Sequence, residues 1–351
     1  MSRYLSEKLR LISFVCIVLV LYIHSNFHYA DAGEVGLMLN SYLQKIISGM
    51  IGRLAVPMFF AISGFLFFRG TEESIQTVYQ KLRKRVRTLV VPYIFATLFI
   101  TIFFLIHLLT GALHFLEPEL HYLAEPWWMI LFRLFLYNIP GEGPYSYYLW
   151  FLRDLIIVVC FTPLLWKLKR LRFGIEIFMI IMFLLSLFSV RFFPIKAFFW
   201  FCFGVKMLQK PIRASYVSFG LLFYIAVSIF QLVLPNDVWN YFEYPIIIIG
   251  VLCLWHYYDK LVPNAFSLES HKMLNLICHS IFFIYLYHAT LLNIIRWCLI
   301  HYLPHSSLTY TFAYLFSPWI TILCMVPLAL LLNRYLPGLY SVLVGGRVFR
   351  N

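Results

Sequence analysis

Charge is what this sequence has least of. Of its 351 residues only 12% are Asp, Glu, Lys or Arg, while 62% are hydrophobic. A soluble domain carries roughly 25% charged residues, and no soluble fold of this length could cover its surface with so few. Acidic residues are the scarcer kind, 15 against 28 Lys and Arg, which leaves a net charge of +13. Long polar connections are missing as well. The stretch outside the apolar runs at 110–126 has under twenty residues, too short for an attached soluble domain, so 1–351 is expected to be one integral membrane domain. No internal repeat or low-complexity tract is present, which weakens a transporter built from duplicated halves. The seven cysteines (Cys16, Cys160, Cys202, Cys253, Cys278, Cys298, Cys324) fall inside apolar segments with no close pair. No zinc or redox motif results, and no metal is expected.

What is present is apolar and aromatic. Phe, Trp and Tyr make up 20% of the chain, which suits a bilayer core with interfacial belts. A spanning helix needs about 20 predominantly apolar residues. Ten candidates follow, at roughly 9–28, 50–68, 88–109, 147–166, 174–190, 193–209, 214–234, 241–258, 275–302 and 309–333. A further stretch, 127–137, is too short to span and reads as an interfacial or re-entrant helix leading into the turn 138–144. The expected fold is therefore an all-α, polytopic transmembrane helix bundle. The first run lacks a small-residue cleavage site and reads as a retained span.

The positive charge falls in short clusters between apolar runs, so it marks topology and not nucleic acid. With the N-terminus in the cytoplasm, one side collects 21 Lys and Arg, among them Arg10, Arg85 and Arg87. The other side and the span interiors hold seven: Lys45, Arg53, Arg133, Arg153, Arg191, Lys196 and Arg296. Loops 110–126 and 235–240 carry acidic residues and no Lys or Arg. Both termini are thus expected in the cytoplasm, in the inner or plasma membrane, surrounded by lipid.

Ionisable groups within a bilayer are costly and are functional candidates. The first span begins near Arg10 and ends in His24, and at 100° per residue the two lie within roughly 40° of each other on one helix face. His24 is either a functional imidazole or an interfacial one facing headgroups. In the ninth span Tyr285 and His288 share a helical face, lining a cavity or making a structural interhelical bond. The cluster Lys81 to Arg87 is either a topology anchor or a clamp for the phosphates of a cytosolic donor. Arg153 and Asp154, adjacent in the fourth span, point about 100° apart and need not pair.

Several segments, in order, resemble the acyltransferase family 3 membrane proteins. The opening Glu7, Arg10 and His24 is similar to that family's first-span arginine-to-histidine signature. Val56-Pro57-Met58-Phe59-Phe60-Ala61-Ile62-Ser63-Gly64-Phe65-Leu66 resembles its second-span pattern. Lys84-Arg85-Val86-Arg87 followed by Pro92-Tyr93, then Leu149-Trp150-Phe151-Leu152, Phe282 to His288, and the tail Pro337 to Arg347 resemble its later motifs. The family usually has ten residues between the arginine and the histidine. Here there are thirteen, which adds about 4.5 Å.

The resemblance implies ten core spans, a cytoplasmic acyl-coenzyme A donor and an acceptor such as an envelope sugar or glycan. It makes His24 the leading catalytic candidate and Arg85 and Arg87 donor-binding candidates. The expected reaction is transfer of a short acyl group, acetyl being the expected one, from a thioester to a hydroxyl. An imidazole takes the hydroxyl proton, and donors meet the oxyanion. Ser63, Tyr285 and Arg153 are candidates for that last task, with His288 the second candidate base. Two alternatives of other classes remain: a transporter or flippase of glycan or lipid intermediates, and a non-catalytic partner in an envelope assembly.

Overall fold

A computed structural model describes residues 2–26, 37–71, 74–110, 126–137, 144, 146–188, 193–206, 208, 214–231, 236–263, 266–304 and 306–349. In chain order the helices are α1 (Arg3–His24), α2 (Leu37–Ile46), α3 (Ala55–Phe68), α4 (Ile75–Arg85), α5 (Val91–Thr110), α6 (Trp127–Phe135), α7 (Trp150–Cys160) and α8 (Thr162–Arg170). They continue as α9 (Gly174–Ser186), α10 (Ile195–Lys206), α11 (Ala214–Gln231), α12 (Asn236–Leu261), α13 (Lys272–Tyr302), α14 (Ser307–Tyr335) and α15 (Pro337–Leu343). No strand occurs among the described residues, so the expected all-α membrane bundle is what the chain forms.

Each of the ten expected spans coincides with a helix, but the lengths differ. Four helical runs are long and apolar enough to cross a bilayer on their own: Asn40–Phe68, Ile75–Phe103, Lys272–Tyr302 and Ser307–Tyr335. The expected span 147–166 is not one rod. α7 and α8 meet at a 55° bend, so together they make at most one broken span. The cause is local: Pro163 sits in the first turn of α8, where its ring opposes continuation of the preceding helix. The expected spans at 174–190 and 193–209 shorten to α9, with 13 residues, and α10, with 12. The second and third spans begin earlier than expected, because π-helical turns at Ile47–Ile51 and Val86–Val90 join α2 to α3 and α4 to α5. Lys81, Arg83, Lys84 and Arg85 therefore lie within α4, not in a loop before a span. α12 starts at Asn236, so the expected loop 235–240 is helical from 236 onward. The short stretch 127–137 becomes α6, nine residues long. The turn that follows it, and 111–125, lie outside the described residues.

Large apolar side chains face outward on these helices: Phe99, Ile102 and Ile106 on α5, Ile177 and Ile180 on α9, Phe219 and Leu222 on α11, Leu323 and Leu331 on α14. Water would penalise contiguous apolar surface of this kind; a hydrocarbon solvent does not.

The chain divides into two compact units, Met1–Leu66 with Trp200–Leu328, and Phe67–Phe199 with Ala329–Asn351. In the first, α1 packs on α13, on α12 and on the π turn Ile47–Ile51, and α11 packs on α12. α1 starts at an N-cap, Ser2, whose hydroxyl accepts from the Leu5 amide at 3.3 Å, satisfying one donor that the first turn leaves open. Its N-terminal turns bind α12: Lys8 Nζ lies 2.8 Å from both carboxylate oxygens of Asp259 and 4.2 Å from the Trp255 ring. Burial lowers the Lys8 pKa, and the hydrogen bond and charge of Asp259 oppose that shift. α3 and α10 approach backbone to backbone. A Cβ at Gly204 would lie 1.8 Å from the Ala61 carbonyl oxygen, and one at Gly64 would lie 2.0 Å from that of Phe201.

In the second unit, α4 packs on α7 and α8, α8 on α9, and α15 on α5. Pro92 removes the amide that would close on the Thr88 carbonyl, and the helix loosens there into its π turn. That carbonyl instead accepts from Arg347 Nη1 at 2.8 Å. Gly345 fits beside it at φ +61°, where a Cβ would meet Thr88 Cα at 2.7 Å, a position only glycine takes without strain. Burial first, and the charge of Arg85 second, lower the pKa of Arg347 to about 10, so it stays protonated at neutral pH.

Candidate active site

The C-terminal end of α1 leaves carbonyls without helical partners; donors come from α13 and from the π turn Ile47–Ile51, and α14 binds side chains there. From α13, Arg296 Nη1 donates to the His24 carbonyl at 3.1 Å and Nη2 to the Asn26 carbonyl at 2.6 Å. From α14, the hydroxyl of Ser317 reaches that of Ser25 at 3.4 Å and Trp319 Nε1 donates to the Tyr22 hydroxyl at 2.9 Å. Tyr22 in turn donates to the Leu315 carbonyl at 3.0 Å. Ser48 closes the set, donating to the Tyr22 carbonyl at 2.8 Å and lying 2.7 Å from the Tyr314 hydroxyl. A helix end that would fray is thus held on several sides.

That anchoring fixes His24. Its ring stands 5.2 Å from the ring of His288, centroid to centroid, at 46°. His288 is fully buried, whereas His24 is only half-buried. His288 Nδ1 lies 2.8 Å from the Tyr285 carbonyl and 3.2 Å from that of Ile284. Carbonyls only accept, so these partners assign the proton to Nδ1 and leave the lone pair on Nε2. The Tyr285 ring follows one turn earlier on α13, 6.4 Å from the His288 ring. The structure therefore brings together three of the residues singled out by sequence: His24, Tyr285 and His288.

The others lie elsewhere. Arg10 is on the same helix as His24 but about 21 Å along its axis; it faces His279 Nε2 at 3.3 Å and Asn275 at 3.5 Å. Ser63 donates to the Phe59 carbonyl of its own helix at 2.8 Å. Arg85, Arg87 and Arg153 belong to the second unit. Arg85 is half-buried and Arg87 exposed. Arg153 does pair with its neighbour: its Nε and Nη2 reach Asp154 Oδ1 at 2.8 and 2.6 Å, and Nη1 donates to the Leu136 carbonyl at 2.7 Å. The 100° between adjacent positions is spanned because arginine is long enough to fold back along the helix.

Sequence reasoning counted Arg296 only among the charges off the basic side and gave it no role. The available signal was its place within the ninth span, where a charge needs a reason. Its guanidinium fork holds the carbonyls of His24, the last residue of α1, and of Asn26 just beyond it, and so fixes the backbone that carries the His24 ring. Arg296→Met is expected to lower kcat about tenfold or more, in line with the loss of charge-assisted hydrogen bonds, and to leave the donor KM unchanged. Arg296→Lys should restore part of kcat through a single bond. A parallel fall of kcat and melting temperature in both variants would make Arg296 a general stabiliser only.

Among the described residues no group of three or more His, Cys, Asp or Glu is placed to hold a metal ion. What the paired imidazoles can do is accept and return a proton. No curated protein and no solved structure matches the chain. A model of the acyltransferase domain matches residues 8–333, a range that includes α1, α3, α13 and the basic α4. The chain belongs to that family: it is a membrane acyltransferase of acyltransferase family 3.

Proposed function

We propose that this acyltransferase moves a short acyl group, acetyl in the first instance, from cytoplasmic acyl-coenzyme A to a hydroxyl of an envelope sugar or glycan. In this reading it sits in the inner or plasma membrane with both termini in the cytoplasm, as the Lys and Arg asymmetry favours. The observation that carries it is the His24–His288 pair, 5.2 Å between ring centres, with the more accessible ring at the end of an anchored helix. A hydroxyl is a poor nucleophile at neutral pH, and a positioned imidazole is the group that corrects this.

His24 takes the acceptor's proton as the hydroxyl oxygen attacks the thioester carbonyl. A C–O bond forms and the carbonyl electrons move onto oxygen. Collapse of the intermediate breaks the C–S bond, and the imidazolium returns its proton to the departing sulfur. An ester and a thiol result, and nothing is oxidised or reduced. His288 orients the His24 ring. Of the three oxyanion candidates, Tyr285 has its ring 6.4 Å from that of His288. Tyr285, one turn from His288, is the donor this reading favours.

Coenzyme A carries several phosphates, and Arg85 and Arg87 offer guanidinium forks suited to them. The test is thiol release from acetyl-coenzyme A by the purified protein with a glycan acceptor. The double variant Arg85→Ala, Arg87→Ala should raise the donor KM about tenfold or more at moderate salt with the melting temperature unchanged. An unchanged KM would reduce the basic helix to a topology signal, and absence of thiol release by the wild type would remove the acyl-coenzyme A reading altogether.

A further inference from the structure

The first unit contains a second feature that the acyl-transfer reading does not use. A cavity of about 550 Å³ runs between α1, α11, α12 and the N-terminal end of α13. That is within the size range of sites that hold a small ligand, about 300–1,000 Å³. Its walls are hydrocarbon and aromatic ring: Phe14 and Val15 of α1, Ile225 of α11, Leu254 and Tyr257 of α12, Leu274 of α13. A polar acceptor or a nucleotide finds no partner there, since nothing in the wall offers a charged group. Along α12 the lining extends from Gly250 to Leu261, about 16 Å of helix, so the space is long and narrow.

Its two ends differ. The Gly250 end is closed tightly: a Cβ at Gly250 would meet Leu54 Cδ2 at 2.5 Å and Tyr224 Cε2 at 2.8 Å. The other end, at Leu261, Val262 and Leu274, is where the charges are. Lys260 is exposed, with Nζ 5.5 Å from the centre of the Tyr257 ring that lines the cavity. Lys272 is also exposed, two residues before Leu274, in the first turn of the 31-residue α13. Asp259, next to Lys260 in the chain, is bonded to Lys8 and to the Tyr4 hydroxyl, and Glu269, three residues before Lys272, lies 3.7 Å from Arg3.

We propose that this cavity holds one acyl chain of an anionic glycerophospholipid, whose phosphate headgroup is met by Lys260 and Lys272. A dry apolar slot fits a hydrocarbon chain and little else. Two lysines at its mouth, reinforced by the N-terminal dipole of α13, select a negatively charged headgroup. Under the orientation proposed above that mouth faces the cytoplasmic leaflet, where anionic lipids attract basic residues.

The full-length protein, purified in mild detergent, is mixed with equal amounts of phosphatidylglycerol and phosphatidylcholine, and retained lipid is counted by native mass spectrometry. The wild type should keep one phosphatidylglycerol per chain in clear excess over phosphatidylcholine. Val15→Trp fills the slot from an exposed position and should cut retention at least tenfold, with the melting temperature in lipid-free detergent unchanged. Lys260→Glu with Lys272→Glu, both at the surface, should keep one lipid and lose the preference for phosphatidylglycerol. Equal retention by Val15→Trp and wild type would overturn the site. So would equal binding of the two lipids by the wild type, or a change of oligomeric state in Val15→Trp without loss of lipid, which would assign the slot to a second copy of the chain. Neither measurement depends on acyl transfer.

Discussion

His24→Gln is expected to bring acyl transfer to background, a loss of about 10²–10⁴-fold in kcat, the worth of a positioned general base. Glutamine keeps a hydrogen-bonding amide of similar reach but cannot take up a proton at neutral pH. The backbone clamp does not depend on the side chain, because Arg296 donates to the His24 carbonyl. Insertion, yield and melting temperature should therefore stay at wild-type values, and His24→Ala should behave the same way. His288→Gln is expected to be milder, since its ring is fully buried and positions His24 without touching substrate. Retention of most activity by His24→Gln would make the ring structural and move the base to His288. A pH profile gives an independent check. The base works only as neutral imidazole, so with chemistry rate-limiting the rate should fall as pH drops through the imidazole pKa.

Among the described glycines, Gly204→Ala is expected to be the most damaging added methyl, and to act on folding instead of chemistry. The added carbon would fall 1.8 Å from the Ala61 carbonyl oxygen, and in Gly64→Ala it would fall 2.0 Å from that of Phe201. Neither obstacle can swing aside, because both are backbone. Relief requires α3 and α10 to part, with loss of the close packing that small residues permit between membrane helices. A cost of about 3 kcal/mol or more follows, at the upper end for overpacking. Each variant should give little monodisperse protein and a melting temperature well below wild type. Gly338→Ala, where nothing lies within 4 Å of the new carbon, is the matched control. A Gly204→Ala protein that purifies and melts like the wild type would mean that the two helices have freedom to separate. The contrast with His24→Gln is informative: one variant loses activity and keeps its fold, the other loses both.

The Gly64 position shows what sequence could and could not say. The run Ser63-Gly64 drew attention through resemblance, and chemistry was sought in the serine; the glycine is the residue that the packing cannot replace. That the ten apolar runs are helical was legible because such a run has few other fates. Their lengths and breaks were less so. A hydropathy window averages over a π turn; Pro92 and Pro163 mark two of the breaks, but Pro245, Pro318 and Pro327 lie inside continuous helices, so proline alone does not locate them. The site was half-legible. His24, Tyr285 and His288 stand out as polar groups in apolar runs, but the meeting of His24 and His288 joins positions 264 residues apart by subtraction of their numbers. No periodicity encodes such a contact. Arg296 was hidden for the opposite reason. An isolated arginine resembles a topology charge until the carbonyls it holds are known, and those belong to α1.

The bond between Arg347 and the Thr88 carbonyl ties together residues 259 apart in the chain. A ribosome adding about 5–20 residues per second needs roughly 13–50 s to pass from one to the other. For all of that interval the helix across Pro92 has a carbonyl whose final partner has not been made. The second unit, which takes a piece from Ala329–Asn351, cannot close until that segment has been made. Newborn chains must therefore wait in the membrane with this helix unfinished, and any stall or cleavage before residue 347 leaves a protein with its early helices made and their lock missing.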